Sequence, residues 1–259
     1  MWASGAAYEP YVGRWSRLVA REFVAWLGAP PGQHWLDVGC GTGALADAIL
    51  ALATPSAVCG IDASADYLAF AREHLRDPRA RFEQGDATRL PYAPGAFDCV
   101  VSGLMLNFLP QPEQGVAEMV RVARPGGIVA AYLWDYAGEM QLMRYFWDAV
   151  AALDPAGVDL DEGRRFPLCQ PAPLAALFGG AGLVAVEVRS ITVATPFRDF
   201  DDYWTPFLGG QGPAPSYVRA LSDARRQALR EHLRARLPTA PDGSIALHAR
   251  AWAVRGRAP

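Results

Sequence analysis

The residues with the clearest chemical potential are an aspartate and three closely spaced glycines: Asp37, Gly39, Gly41 and Gly43. The apolar residues that end in Asp37 predict a strand, and the alanine- and leucine-rich residues after Gly43 predict a helix. Without a Cβ, glycine lets such a turn bring its backbone close to a ligand. A carboxylate at the strand's end can accept hydrogen bonds or face a cation. An ordinary turn needs one glycine, so three favour a ligand-binding turn.

The spacing of these glycines also indicates the kind of ligand. It is G-x-G-x-G, whereas the dinucleotide fingerprint is G-x-G-x-x-G and places a pyrophosphate at the helix N-terminus. A shorter turn that follows an acid suits a ligand without phosphates. The spacing therefore argues against a nicotinamide-dependent oxidoreductase, which we keep as an alternative hypothesis.

The elements around this turn alternate along the chain. Strands are predicted near 34–38, 56–61, 79–84, 97–102 and 127–134, and helices near 13–27, 43–53, 64–75 and 112–123. Such alternation predicts a parallel sheet with helices on both faces and a ligand beyond the carboxyl ends of the strands. Polar side chains stand at five of those ends: Asp37, Asp62, Asp86, Ser102 and Asp135.

The alternation loosens after Asp135. The pattern predicts a helix over 138–153, a loop over 154–170, a helix over 171–180 and a strand over 183–193. An aromatic, Gly/Pro-rich segment over 197–216, an Arg-rich helix over 216–236 and a final strand over 244–254 follow.

Five segments, taken together and in order, resemble the class I S-adenosylmethionine-dependent methyltransferases. They are 37–43, which is similar to the family's motif I, and 60–64, 85–87, 97–102 and 124–127. The resemblance covers roughly residues 30–135, and the flanks resemble a bacterial branch that methylates small molecules. It implies an α/β, doubly wound, mostly parallel seven-stranded sheet of Rossmann-like type with an antiparallel last strand. An N-terminal helix and a C-terminal helical cap would complete one domain over 1–259, with a cofactor core at 30–135 and cap elements at 136–180 and 197–240.

The resemblance also implies S-adenosylmethionine as cofactor and a set of residues that hold it. The set is Arg14, Asp37, Gly39, Cys40, Gly41, Gly43, Asp62, Ala63, Tyr67, Asp86, Ala87, Ser102 and Gly103. Asp62 follows Gly43 by about the spacing expected of a ribose-binding acid. Asp86 would accept from the adenine amino group, and Arg14 would pair with the cofactor's carboxylate.

Each of these roles has a structural alternative. Asp62 could cap a helix, although Ser64 is the better candidate for that position. Tyr67 could be a buried helix residue rather than a platform for adenine. Asp86 could be an ordinary turn residue, and Arg14 a surface arginine.

Methyl transfer is an in-line displacement that requires alignment, desolvation and sometimes a base. Asp135, Tyr136 and Asn107 follow the fifth and fourth strands and could orient or deprotonate an acceptor. Tyr203, Trp204 and Phe207 are predicted to form the acceptor's wall, with core packing as the alternative. None of the four histidines is expected over the cleft.

Composition narrows the partners. The net charge is −3 and the pI about 5.8, which gives no bias toward nucleic acid or an anionic membrane. All 24 basic residues are arginine, so lysine Schiff-base chemistry is excluded. The four cysteines are scattered without a C-x-x-C pair, which predicts buried thiols in a reducing cytoplasm and no metal. The first five residues show no leader pattern.

Together these features predict a monomeric or homodimeric enzyme that methylates a small, apolar or aromatic acceptor. The residues leave O-, N- and C-methylation open. Because no base is evident, a catalytically silent protein that binds the cofactor or a metabolite remains the alternative.

Overall fold

One sheet of seven strands runs through the molecule in the order β3-β2-β1-β4-β5-β7-β6. The computed structural model describes residues 13–209 and 212–259. The first five residues and two positions of the aromatic segment, Gly210 and Gln211, therefore lie outside the described part. The strands are β1 (His34–Val38), β2 (Ala57–Asp62), β3 (Ala80–Gln84), β4 (Phe97–Gly103), β5 (Ala123–Trp134), β6 (Val184–Phe197) and β7 (Ile245–Arg257).

The first five strands pair in parallel, and β7 lies antiparallel between β5 and β6. Asp37 of β1 pairs with Gly60 of β2 on one side and with Val101 of β4 on the other. The carboxyl ends of these strands therefore meet at one edge of the sheet. This arrangement confirms the predicted fold class and its antiparallel last strand.

Helices cover both faces of the sheet. They are α1 (Arg14–Leu27), α2 (Ala44–Leu52), α3 (Ala65–His74), α4 (Pro112–Val122), α5 (Gln141–Leu153), α6 (Glu162–Arg165), α7 (Pro171–Gly180), α8 (Phe200–Trp204), α9 (Pro213–Ala220) and α10 (Asp223–Arg236). Central strand residues such as Trp35, Leu36 and Val100 are fully buried, as expected of a parallel sheet covered twice. Among the helices described, none is both long and apolar enough to cross a bilayer.

Two predicted elements differ from the structure. The predicted loop over 154–170 contains a 3₁₀ helix, Pro155–Leu160, and the short helix α6. The single helix predicted over 216–236 is two helices, α9 and α10. The Ser222 hydroxyl accepts from the Arg225 amide and so starts α10, while Leu221 before it is extended. Capping by a serine therefore outweighs the continuous helical pattern.

Candidate functional site

A cleft of about 800 Å³, a volume that includes space open to solvent, lies at the carboxyl edge of β1, β2 and β4. Eight residues expected in the site line it: Asp37, Gly39, Cys40, Gly41, Asp62, Tyr67, Gly103 and Tyr136. Nine further residues also line it: Ser16, Thr42, Ala44, Leu45, Leu104, Met105, Phe108, Tyr132 and Trp134.

Asp37 is a fully buried carboxyl group at the end of β1. In the described part of the chain, neither of its oxygens has a hydrogen-bond partner. Burial, and next the nearby Asp62 carboxylate, raise the pKa of Asp37 from 3.8 to about 8. The nearby Ala46 amide opposes this rise in pKa only in part, because it does not meet the geometry of a hydrogen bond to Asp37. A positively charged donor in the cleft would satisfy this group and favour its ionised form.

Asp62 is held rigidly by two backbone amides. Its Oδ2 accepts from the Gly41 amide at 2.9 Å, and its Oδ1 accepts from the Ser64 amide at 2.8 Å. Ser64, not Asp62, caps α3, because its hydroxyl accepts from the Tyr67 amide at 3.3 Å. The carboxylate is thus fixed at the cleft wall and keeps lone pairs for a ligand.

The three glycines of the turn have different physical roles, although all three have positive φ. A Cβ on Gly39 would collide with the Met105 side chain, so Gly39 lets Met105 close over the turn. A Cβ on Gly43 would lie 3.4 Å from Ala71 and 3.7 Å from Phe82, where α2 packs on α3 and β3. Of the three, Gly41 alone has no atom of the described residues within 4 Å of an added Cβ. Gly41 is therefore the glycine positioned for close approach by a ligand.

The residues after β4 form the floor of the cleft. Leu104 has φ +59, an uncommon conformation for a residue with a side chain, and its amide donates to the Tyr132 carbonyl at 2.8 Å. A Cβ on Gly103 would come within 2.6 Å of the Tyr132 hydroxyl oxygen. Backbone strain of this kind concentrates at ligand sites, where the surrounding structure enforces it.

Aromatic rings form the mouth of the cleft. Phe108 and Tyr136 line the cleft, and Phe166 contacts both of them. The Phe166 ring centroid is 5.2 Å from that of Phe108, edge to face, and 5.7 Å from that of Tyr136. Phe166 lies just after α6, within the stretch predicted to be a loop, so no periodic pattern marked it.

Two of the expected site residues are engaged elsewhere. Arg14 is not part of the lining; it pairs with Asp202 at 3.3 Å and stacks over the rings of Trp15 and Phe197. Asp135 is 1% exposed and forms an ion pair with Arg250 at 2.6 Å. Its oxygens also accept from the backbone amides of residues 138 and 139. Asp135 thereby ties the end of β5 to β7.

Three expected site residues that follow β2 and β3 are not part of the cleft's lining: Ala63, Asp86 and Ala87. Asp86 is exposed, and its carboxylate accepts from the Thr88 amide and hydroxyl at 2.8 and 2.7 Å. These bonds lower the pKa of Asp86. The carbonyl of Ala63 accepts from the Gln84 side chain at 2.9 Å, and Ala87 is half-buried in the turn after Asp86.

Two polar side chains near the floor lack hydrogen-bond partners within the described residues. Ser102 is fully buried at the end of β4, and its hydroxyl is unpartnered. Asn107 lies between the lining residues Met105 and Phe108, and its buried Nδ2 is also unpartnered. Neither residue is itself part of the lining.

The three aromatic residues expected to form the acceptor's wall are buried away from the cleft. Tyr203 and Phe207 are fully buried and Trp204 is 4% exposed. Phe207 stacks on Phe146 of α5 at 4.5 Å, and the Tyr203 hydroxyl donates to the Leu142 carbonyl at 3.0 Å. Their surroundings are those of core residues, which was the alternative to a role in the wall of the acceptor site.

Among the described residues, the cleft's lining includes no histidine and no metal-binding cluster. None of His34, His74, His232 and His248 lines it. Over residues 13–209 and 212–259, no three histidine, cysteine or acidic side chains lie close enough together to hold a metal ion.

The family pattern and several of the relatives that this chain matches are methyltransferases. The sequence pattern of a family described as "Methyltransferase domain" matches residues 36–131. Methyltransferase GfsG of Streptomyces halstedii is 34% identical over 224 residues, which cover 83% of this chain and 77% of that protein.

Other matches are more partial. A demethylmenaquinone methyltransferase of Desulfitobacterium hafniense is 37% identical over 108 residues, so the match spans less than half of either protein, 40% of this chain and 43% of the relative. A solved structure of Haemonchus contortus phosphoethanolamine N-methyltransferase 2 with S-adenosyl-L-methionine superposes with a TM-score of 0.59 at 18% identity. It covers 98% of this chain and 56% of that one, and at this identity it shows a shared fold.

Proposed function

This chain belongs to the S-adenosylmethionine-dependent methyltransferases, and from that premise we propose that it transfers the methyl group of S-adenosylmethionine to a small-molecule acceptor. The observation that carries the proposal is the buried carboxyl group of Asp37, which has no hydrogen-bond partner among the described residues and lies in the same turn region as the open Gly41. Leaving a buried carboxylate without a partner is costly, so the site is built for a ligand that supplies one.

The residues of the cleft fit this cofactor. Its ammonium group would pair with Asp37, which then ionises. Its ribose hydroxyls would donate to Asp62, whose carboxylate two amides already hold in place. Gly41 leaves the backbone open to close approach, and Tyr67 lines the same cleft from α3.

When bound, the cofactor would supply a methyl group attached to a sulfonium sulfur, and a nucleophile would displace the sulfur from the methyl carbon with the electrons of the sulfur–carbon bond kept on sulfur. The chain aligns the reactants and excludes water. The rings of Tyr132 and Trp134 suit a site in which positive charge disperses. Asp135 is committed to Arg250, so we assign it a structural role and retain Tyr136 and Asn107 as orienting residues.

Titration calorimetry with S-adenosylhomocysteine and NAD tests the cofactor assignment. We expect S-adenosylhomocysteine to bind and NAD not to bind. Asp62→Ala should weaken binding by about one to two decades, because charge-assisted hydrogen bonds are lost. Asp148→Ala, at an exposed aspartate on α5, is the matched control and should bind normally. Unchanged affinity in a folded Asp62→Ala variant would remove Asp62 from the site.

Turnover is tested separately with a labelled methyl donor and a bacterial metabolite extract. A labelled product supports the proposal. Binding of S-adenosylhomocysteine without any labelled product would favour the silent binding protein. The four cysteines are all buried and none forms a disulfide, which supports our proposal that the protein works in a reducing bacterial cytoplasm.

A further inference from the structure

The mouth of the cleft has a composition of its own. The two acids of the cleft, Asp37 and Asp62, belong to the β1 and β2 ends of the lining. The β4 and β5 ends contribute Met105, Phe108 and Trp134, with Tyr136 just beyond, and among the described residues no charged side chain lines them. Charged ligands bind poorly where no opposite charge offsets desolvation, so this part of the cleft suits a neutral, apolar body.

The aromatic rings at the mouth are held in position. Phe166, behind Phe108 and Tyr136, follows α6, whose first turn is capped by the Asp161 carboxylate at 2.8 Å from the Gly163 amide. Arg144 of α5 pairs with the same carboxylate at 2.7 Å, and both side chains are largely buried. Phe166 is therefore backed by a capped helix, while Phe108 is 42% exposed at the mouth, so an occupant can reach its ring.

Two nitrogen donors, one in the lining at this end of the cleft and one on a residue adjacent in sequence to the lining, have no partner among the described residues. Trp134 is 2% exposed and lines the cleft, and its Nε1 is buried and unpartnered. The Nδ2 of Asn107, the residue before Phe108, is also buried without a partner among the described residues, although Asn107 is not itself part of the lining. A buried N–H normally has an acceptor, so an oxygen of the occupant would satisfy it.

Resting on the proposed function, we infer that this end of the cleft binds a planar aromatic hydroxyl compound as the methyl acceptor. Phe108 and Tyr136 contact its ring, Phe166 is a positioning residue behind them, and Trp134 Nε1 donates to its oxygen. The oxygen's lone pair forms the new bond to carbon as the sulfur–carbon bond breaks with its electrons kept on sulfur. The hydroxyl proton goes to solvent.

The test uses the full chain loaded with S-adenosylhomocysteine and three probes of matched size: 2-naphthol, naphthalene and decahydro-2-naphthol. Ligand-observed NMR measures each affinity. We expect 2-naphthol to bind best, because naphthalene lacks the oxygen and decahydro-2-naphthol lacks the flat ring. Equal affinity for the saturated analogue would overturn the aromatic assignment. No binding of 2-naphthol to a chain that still binds S-adenosylhomocysteine would overturn the inference alone and leave the proposed function standing.

Variants separate contact from support. Phe108→Ala should weaken 2-naphthol binding about tenfold, the effect of a lost aromatic contact, without changing the affinity for S-adenosylhomocysteine. Phe70→Ala, which removes a half-buried ring stacked on His74 outside the cleft, is the matched control and should have no effect. Phe166→Ala should weaken binding and Phe166→Tyr should restore it. Wild-type affinity in both Phe108→Ala and Phe166→Ala would contradict the assignment.

The hydrogen bond has its own variant. Trp134→Phe keeps an aromatic ring and removes the N–H, so it should weaken 2-naphthol binding by about three- to tenfold and leave naphthalene unchanged. Equal losses for both probes would mean that Trp134 acts by packing, and the oxygen contact would be discarded. If S-adenosylhomocysteine itself fails to bind the wild-type chain, the proposed function fails first.

Discussion

At the scale of single residues, the chemistry of the cleft depends on two carboxyl groups in contrasting surroundings. Asp62 is fixed by the amides of Gly41 and Ser64, whereas Asp37 has no hydrogen-bond partner among the described residues. The pKa of Asp37 is raised to about 8, with burial as the main cause and Asp62 as the second. The buried Asp37 carboxyl group therefore lowers the stability of the ligand-free protein, as expected where function requires a polar group without a partner.

Asp37→Asn is predicted to separate this cost from cofactor binding. The folded pKa lies above the usual value of 3.8, so the native state holds a proton that the unfolded chain has lost. Stability from this group is present below about pH 4 and is lost as pH rises to about 8, at about 1.4 kcal/mol per pKa unit. Asparagine does not titrate, so Asp37→Asn does not lose this stability as the pH rises. In urea unfolding, the unfolding free energy of the variant minus that of wild type should therefore increase from about pH 4 to about pH 8. The variant should also bind S-adenosylhomocysteine more weakly.

Asp148→Asn, at an exposed aspartate, is the control and should follow wild type at every pH. A constant difference in unfolding free energy between Asp37→Asn and wild type from pH 5 to 9 would contradict the titration. Wild-type affinity in Asp37→Asn would remove Asp37 from the pairing with the cofactor's ammonium group.

At the scale of elements, the aromatic segment around α8 shows what a helical pattern leaves undetermined. Aromatic residues at helical spacing predict an apolar face, but not whether that face lines a pocket or packs in the core. Here α5 supplies Phe146 and Leu142, and these contacts bury Phe207 and Tyr203. The partner helix lies about 60 residues earlier in the chain, which no local pattern records.

Trp204→Ala is predicted to act on stability. Trp204 is 4% exposed and packs between Phe200 and Phe207, so truncation should lower the unfolding free energy by about 3–5 kcal/mol. Affinity for S-adenosylhomocysteine should stay normal in the protein that remains folded. Trp26→Ala, at a half-buried tryptophan under Arg255, should cost less. Turnover lost at unchanged melting temperature would return Trp204 to the acceptor's wall.

At the scale of the whole molecule, local sequence predicted the strands from β1 to β5, because apolar runs mark β1, β2, β4 and β5 and glycines lie in most of the turns that flank the strands. The 56–61 strand, for example, is Ala57–Asp62. Long-range pairing was beyond such patterns. Asp135 stands where a base was expected, yet its partner Arg250 lies 115 residues away in β7. The mouth of the cleft depends likewise on α6, whose few residues carry no periodic signal.

The last prediction concerns the whole protein and its cofactor. Among the described residues, no three acidic, cysteine or histidine side chains lie close enough together to hold a metal ion. At a hundred times its dissociation constant, S-adenosylhomocysteine should stabilise the fold by about 2.7 kcal/mol, because it binds the native state and not the unfolded chain. The same stabilisation, and the same methyl transfer, should follow dialysis against a chelator. If either is lost and then restored by magnesium or zinc, a metal takes part in the cleft, and the acceptor's oxygen has a ligand other than Trp134.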